Sequence, residues 1–364
     1  MLGDLITSQT TNTLRRPKQL VSIGAGSVGL ASISNPLSGG VEDPWARSVA
    51  KINVDVGLAP FVDIATVEII ADTQAPQVAL DDEGTISLGY NDSTTELVFS
   101  AIVNNIGSNV HGSQHLSGVN GGVALSRLRI NQSYEQQSAG DIVSDLAGQA
   151  DVETDTVESG IDLPFYVIDD HYNAYQHIDR LARQSGFIAH FTIEGKLYFG
   201  PQQAGQAVHT FSYANDILEL RVQQNNSSSS AVTVIGEGAA GSEGQDAWSW
   251  LIKDPGAVTS EAGDGKSRLI SDAALRSSEA CQAAADGRAA RAAALALSGS
   301  ILTAGVPAVV VGSTIEIADA PGEAMNGDFF VNRISHHYSK QHGFTSLIHF
   351  RKSGDSGGLL GGLL

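Results

Sequence analysis

Between Thr85 and Pro201 the chain changes structural type in a fixed order, and that order restricts the folds open to it. Asp81-Asp82-Glu83-Gly84 reads as a turn into a strand carrying Ile86, Leu88 and Tyr90. Asn91-Asp92-Ser93 turns the chain into a second strand, Glu96-Leu-Val-Phe-Ser-Ala-Ile-Val103. Two amphipathic helices follow. Ser138 is placed to cap the first, with Asp141 three positions on and Ile142, Val143, Leu146, Ala147 and Ala150 on one face. The second starts at Asn173, carries Ala174, Tyr175, Ile178, Leu181 and Ala182 at helical spacing, and stops at Gly186. Phe187 to Phe199 then reads as a hairpin turning at Glu194-Gly195.

On either side of this stretch the pattern is β. Ile52, Val54 and Val56 alternate with Lys51, Asn53 and Asp55, as in a strand with one buried face, and Phe61 to Ala71 supports another. The spacing predicts a first tube-like β-barrel over 49–130, an α/β insert over 131–207, and a second tube-like β-barrel from 208–236 with 300–352. Residues 1–48 form an N-terminal arm with one strand around Gln19–Ile23, and 353–364 a flexible Gly/Leu tail. Residues 237–299 insert a loop and a long alanine-rich helix from Ser271 to Ser298, interrupted at Gly287. The fold class is β-rich α+β, with two antiparallel barrels separated by insertions.

Charge narrows the function. The chain has 21 basic and 40 acidic residues, a net charge of −19. Stable nucleic-acid binding needs Lys and Arg to displace counterions, so it is not expected. An anionic membrane is disfavoured for the same reason, and no stretch reaches the roughly 20 apolar residues of a span. The acidic balance reads either as an ordinary solubilising surface or as a lumen to which a passing polyanion would not adhere. The single cysteine, Cys281, excludes an internal disulfide framework and sits in the alanine-rich helix as a small buried thiol. Met1 to Leu20 lacks a continuous apolar core, so synthesis in the cytoplasm is expected.

No motif carries distinctive chemistry. Gly24-Ala-Gly26-Ser-Val-Gly29 has dinucleotide-binding spacing, but Pro36 and Ser38-Gly39-Gly40 leave no room for the crossover helix, so no cofactor is expected. His336 and His337 are adjacent on a strand and face opposite ways; with His342 they make no metal site. Asp169-Asp170-His171 precedes a helix start, where acidic groups meet the helix dipole.

Four stretches resemble the late control D family, the baseplate hub of contractile tails, whose fold the hub-like half of VgrG spike proteins shares. They are Thr85 to Ile106, Arg129 to Ala147, Leu181 to Phe199, and Gly327-Asp-Phe-Phe-Val-Asn-Arg-Ile-Ser-His336 with Gly343-Phe-Thr-Ser346. The resemblance covers about residues 50–352 and lies in the order of the elements. It implies a structural protein and not an enzyme: a homotrimer joining a hexameric inner tube protein to a trimeric spike protein, alongside other baseplate proteins. Assembly into a virion tail or injection-system particle follows. The spike is expected on a separate chain. Leu359, Leu360, Leu363 and Leu364 are the candidate contacts to spike or neighbouring hub. The alternatives are a glycan- or receptor-binding β protein stacking sugars on Trp45, Trp248 and Trp250, and a cell-envelope hydrolase of the tail tip.

Overall fold

The computed structural model describes residues 15–24, 44–70, 77–110, 112–203, 205–225, 231–237 and 258–353. The chain opens with β1 (Pro17–Ile23), a short helix α1 (Pro44–Ser48), β2 (Val49–Gly57), β3 (Ile64–Ile70), β4 (Glu83–Tyr90), β5 (Glu96–Ser108) and β6 (Ser113–Val119). An α/β stretch follows, of α2 (Gly122–Arg127), β7 (Gln132–Ser138), α3 (Ala139–Gln149), β8 (Thr154–Val157), β9 (Asp162–Ile168), α4 (Ala174–Ser185), β10 (Phe187–Phe191) and β11 (Leu197–Pro201). Next come β12 (His209–Ser212), β13 (Ile217–Gln224), β14 (Ala231–Ile235), β15 (Thr259–Ala262), β16 (Ser267–Ser271) and α5 (Ser278–Leu295). The last strands are β17 (Leu297–Ala304), β18 (Thr314–Ala318), β19 (Gly327–Ser339) and β20 (Gly343–Lys352).

Twelve strands form one sheet. One arc runs β1-β4-β5-β6-β3-β2, and the other runs β12-β18-β19-β20-β17-β13. The arcs join where the second half of β19 pairs with β2, from Arg333 opposite Gly57 to Ser339 opposite Lys51. The fold is therefore β-rich with large antiparallel ladders, but the two expected barrels are not closed bodies here. The outer ladder positions of β2 and the end of β19 bond to each other, and that joins the arcs instead of closing either one. Each arc still keeps its own apolar core. Val21, Ile52, Val54, Val67, Leu88, Phe99 and Leu116 fill the first; Phe211, Ile301, Ile315, Phe329, Ile334 and Phe350 fill the second. Val56 touches both, at the seam.

The inserted helices start and stop where local chemistry dictates. Ser138 caps α3 in a reciprocal box with Asp141, its hydroxyl accepting from Asp141 N at 3.1 Å. Asn173 and Gln176 do the same for α4, at 2.9 and 3.0 Å. Gly186 ends α4 at φ +70°, a conformation that costs glycine nothing. Replacing Asn173 with alanine is expected to cost about 1 kcal/mol in equilibrium unfolding; a change within error would show that the cap contributes nothing.

Two departures from the sequence reading concern the second insertion. Strand β14, expected in the second barrel, pairs with β15 and β16 in a separate three-stranded sheet. Helix α5 begins at Ser278, not Ser271, because the Ser277 hydroxyl caps it and 272–277 are a loop. The helix also continues through Gly287. A Cβ there would lie 2.5 Å from Gly186 Cα, so the residue permits α5 to touch the end of α4. This contact belongs to one apolar core shared by both insertions, with Ile142, Leu146, Ile178, Leu181, Val234, Leu275, Cys281 and Ala284 packed together. Cys281 is fully buried and burial pushes its thiol up to about 11, leaving it unreactive at neutral pH.

Candidate functional site

The groups that might have carried chemistry are occupied structurally. His336 is buried with Nδ1 2.8 Å from Ser346 Oγ, whereas His337 faces out with Nδ1 3.0 Å from Asn53 Oδ1. Adjacent strand positions thus send the two rings to opposite faces. His342 Nδ1 lies 3.4 Å from Ser339 Oγ in the turn beyond. Asp169 accepts from the His171 backbone N–H at 3.0 Å, and the Asp170 and His171 carbonyls accept from Arg129 Nη1. Among the described residues no cluster of His, Cys, Asp or Glu is arranged to hold a metal ion.

Two concavities invite comparison with an enzyme cleft. An open one of about 620 Å³ is lined by Tyr134, Glu135, Asp141 and Asp145. Two of its carboxylates are committed: Asp141 to the Ser138 cap, and Asp145 to Tyr134 Oη at 2.7 Å and Gln149 Nε2 at 2.7 Å. The other, about 250 Å³, lies between the sheet and the β10 hairpin and is walled by Val56, Phe99, Phe191, Val309 and Ile334 with His190 and His336. Trp45, offered by the sequence as a stacking residue, is 2% exposed inside the first core and cannot meet a sugar. Trp248, Trp250, the Gly26–Gly29 part of the glycine motif and Leu359, Leu360, Leu363 and Leu364 lie outside the described residues.

The surface feature with a consequence is the set of strand edges. Among the described residues β1, β12 and β13 each have a neighbour on one side only. An unpaired edge displays a row of N–H and C=O groups that another chain can extend. The edge of β1 is blunted by Pro17 and Lys18, with Arg15 paired to Asp92 at 3.0 Å beside it. The edge of β13 has no Pro or Lys; a bulge between Ile217 and Glu219 turns Leu218 outward, 65% exposed, while Ile217, Leu220 and Val222 pack against the second core and Glu219 and Arg221 stay exposed. The strand itself was present in the sequence, but nothing local announces which side of a strand lacks a partner.

The architecture is shared with tail proteins. A 43 kDa tail protein of prophage MuSo2 from Shewanella oneidensis superposes with a TM-score of 0.65 at 12% identity, covering 92% of this chain and 98% of that one. The tail protein of Neisseria meningitidis gives 0.61 at 13% identity over 84% and 93% of the two chains. An Escherichia coli component of the type VI secretion system, described as structurally similar to bacteriophage T4 tail proteins, gives 0.55 at 11% identity over 85% and 74%. The chain therefore has the phage-tail protein fold that its element order implied. By sequence, residues 82–340 match the Alg8 N-terminal domain family, and the chain belongs to that family. No curated protein matches its sequence.

Proposed function

We propose that this chain is a structural subunit of a contractile phage tail or contractile injection system, with the late control D role of baseplate hub. In this reading three copies form an adaptor between a hexameric inner tube and a trimeric spike, soluble until built into the particle. It is not an enzyme and takes no cofactor. The observation that carries the reading is the open sheet of two six-strand arcs, each with its own core, whose end strands β1, β12 and β13 have a free edge among the described residues. Two linked arcs per chain would give six around a threefold ring, with each arc completing a tube-like barrel against the next. Edges that remain unpaired in one chain are satisfied by head-to-tail closure with further copies. The tail-protein fold over almost the full chain supports the same reading.

Mass measurement by light scattering, alone and with tube and spike proteins, is expected to give three copies. A charge placed at the β13 edge, Leu218→Lys, is expected to abolish the closed form and leave the fold intact, because Leu218 is already exposed. A stable monomer that never joins tube or spike would sink the proposal. Leu359, Leu360, Leu363 and Leu364 are assigned to the spike or a neighbouring hub. Truncation after Lys352 is expected to lower spike occupancy, and unchanged occupancy would withdraw that assignment.

A further inference from the structure

The cavity of about 250 Å³ is lined by two imidazole rings, and each has one nitrogen that nothing meets among the described residues. It lies where three parts of the fold come together: Phe99 from the first arc, Val309 and Ile334 from the second core, and His190 and Phe191 from the β10 hairpin. His336 Nδ1 is 2.8 Å from Ser346 Oγ, which already accepts from Val306 N at 3.0 Å. Ser346 is fully buried, so its hydroxyl proton goes to that Nδ1, and His336 carries its own proton on Nε2. His190 is the other tautomer. Its Nδ1 is 3.1 Å from Phe191 O, and a carbonyl only accepts, so Nδ1 donates and Nε2 keeps a lone pair. Neither of these Nε2 atoms is sealed off, in contrast to the buried, unpartnered Nε2 of His177. Gly312 leaves His190 Nε2 uncovered, since a Cβ there would stand 3.0 Å from it. The other walls are largely apolar; Thr192 Oγ1 accepts from Lys196 N at 3.3 Å, and the fixed charge among the lining residues is the exposed Glu194.

We propose that this cavity binds an uncharged, largely apolar small molecule carrying a hydroxyl group, with His336 Nε2 as donor and His190 Nε2 as acceptor. A hydroxyl fits because it both accepts and donates, whereas an ether or ketone serves one ring and leaves the other unfilled. A carboxylate does not fit. Burial keeps both rings neutral, no Lys or Arg lines the walls, and Glu194 repels an anion. Water alone would satisfy the nitrogens and leave the apolar walls wet; a molecule that covers them gains their burial as well. Every residue named belongs to one chain, so the site does not depend on assembly.

The test uses the full chain and two probes of the same size, 4-fluorophenol and 4-fluorotoluene, titrated by fluorine NMR. The phenol is expected to bind about tenfold or more tightly than the toluene, which leaves both ring nitrogens unmet. His190→Asn retains a donor for Phe191 O and removes the Nε2 acceptor, so it is expected to abolish the preference for the phenol. Val310→Phe, at a half-buried position in the wall, is expected to fill the space and weaken both probes. Absence of binding by either probe overturns the proposal. Equal affinity for the two probes overturns it as well, because the cavity is then only an apolar hole. A phenol preference that survives His190→Asn, or binding unchanged by Val310→Phe, puts the probe elsewhere and has the same consequence. If a variant fails to fold, the parent chain's choice between the probes still decides.

Discussion

Replacing Asp272 with alanine is expected to destabilise the folded chain by about 3 kcal/mol, the low end for breaking a buried ion pair. Asp272 is 7% exposed in the loop between β16 and α5, and its two oxygens hold two helices. Oδ1 accepts from Arg180 Nη2 at 2.7 Å, and Oδ2 accepts from Gln184 Nε2 at 2.6 Å, both on α4. Arg288 Nη2 on α5 approaches Oδ2 at 3.7 Å. Arg183 and Arg268 also crowd Arg288, so deleting the carboxylate leaves Arg180 and Arg288 without the counter-charge they share, beside further cations. The low end applies because the Arg180 side chain keeps 37% of its exposure and water screens part of the loss. Denaturant titration would measure it, with Glu219→Ala as the control. The Arg221–Glu219 pair is 74% and 49% exposed, and its loss is expected to stay below about 1 kcal/mol. Equal losses for the two variants would show that Asp272 is not the clamp.

That clamp also marks where the sequence stops being legible. Helices α3 and α4 could be placed from Ser138, Asp141, Asn173 and Gly186, because caps and apolar periodicity act within a few residues. The opposite facing of His336 and His337 followed from strand geometry in the same way. What joins the pieces is not local. The seam between arcs pairs Asp55 with Ser335, and the α4 clasp pairs Arg180 with Asp272; neither end carries a mark of its partner. Two insertions read as separate share one core, because Ile178 and Ala284 each show only an apolar face and not what covers it. The same limit applies to the candidate assembly surface. The Leu220 and Val222 alternation predicts a strand, whereas its position at the end of a sheet depends on every other strand's pairing. Trp45 shows the converse error: an aromatic residue in a polar segment looked available, and α1 turned it into the first core.

Acidification from pH 6.5 to pH 4 is expected to remove about 3 kcal/mol of stability through His336 alone. Burial of the ring holds it down to about 4 from its ordinary 6.5; repulsion from His337 adds to this and Asp55 opposes it. With the folded pKa below the unfolded one, the contribution is complete above pH 6.5 and is lost as the pH falls toward 4, at about 1.4 kcal/mol per unit. Asp63 acts in the opposite sense. Burial raises it from 3.8 to about 7, even though Gly57 N and Asn120 Nδ2 donate to it at 2.8 and 2.7 Å. Its contribution is complete below pH 3.8 and is lost as the pH rises toward 7. Between pH 4 and 6.5 the two slopes offset, so the parent chain should respond to pH less than either group alone. His190, on the wall of the cavity it shares with His336, is also pushed down by burial, as are His177, His209 and His349; they oppose Asp179, which burial raises, and together tip the balance toward acid lability. Urea titrations across this range would separate the terms, since fixed costs of substitution cancel in the slope. Asp63→Asn is expected to steepen the loss of stability on acidification, because the offset disappears. His336→Asn is expected to flatten or reverse it by about 1.4 kcal/mol per unit. Curves for His336→Asn and the parent that run parallel from pH 4 to 6.5 would show that the ring is not held neutral by burial.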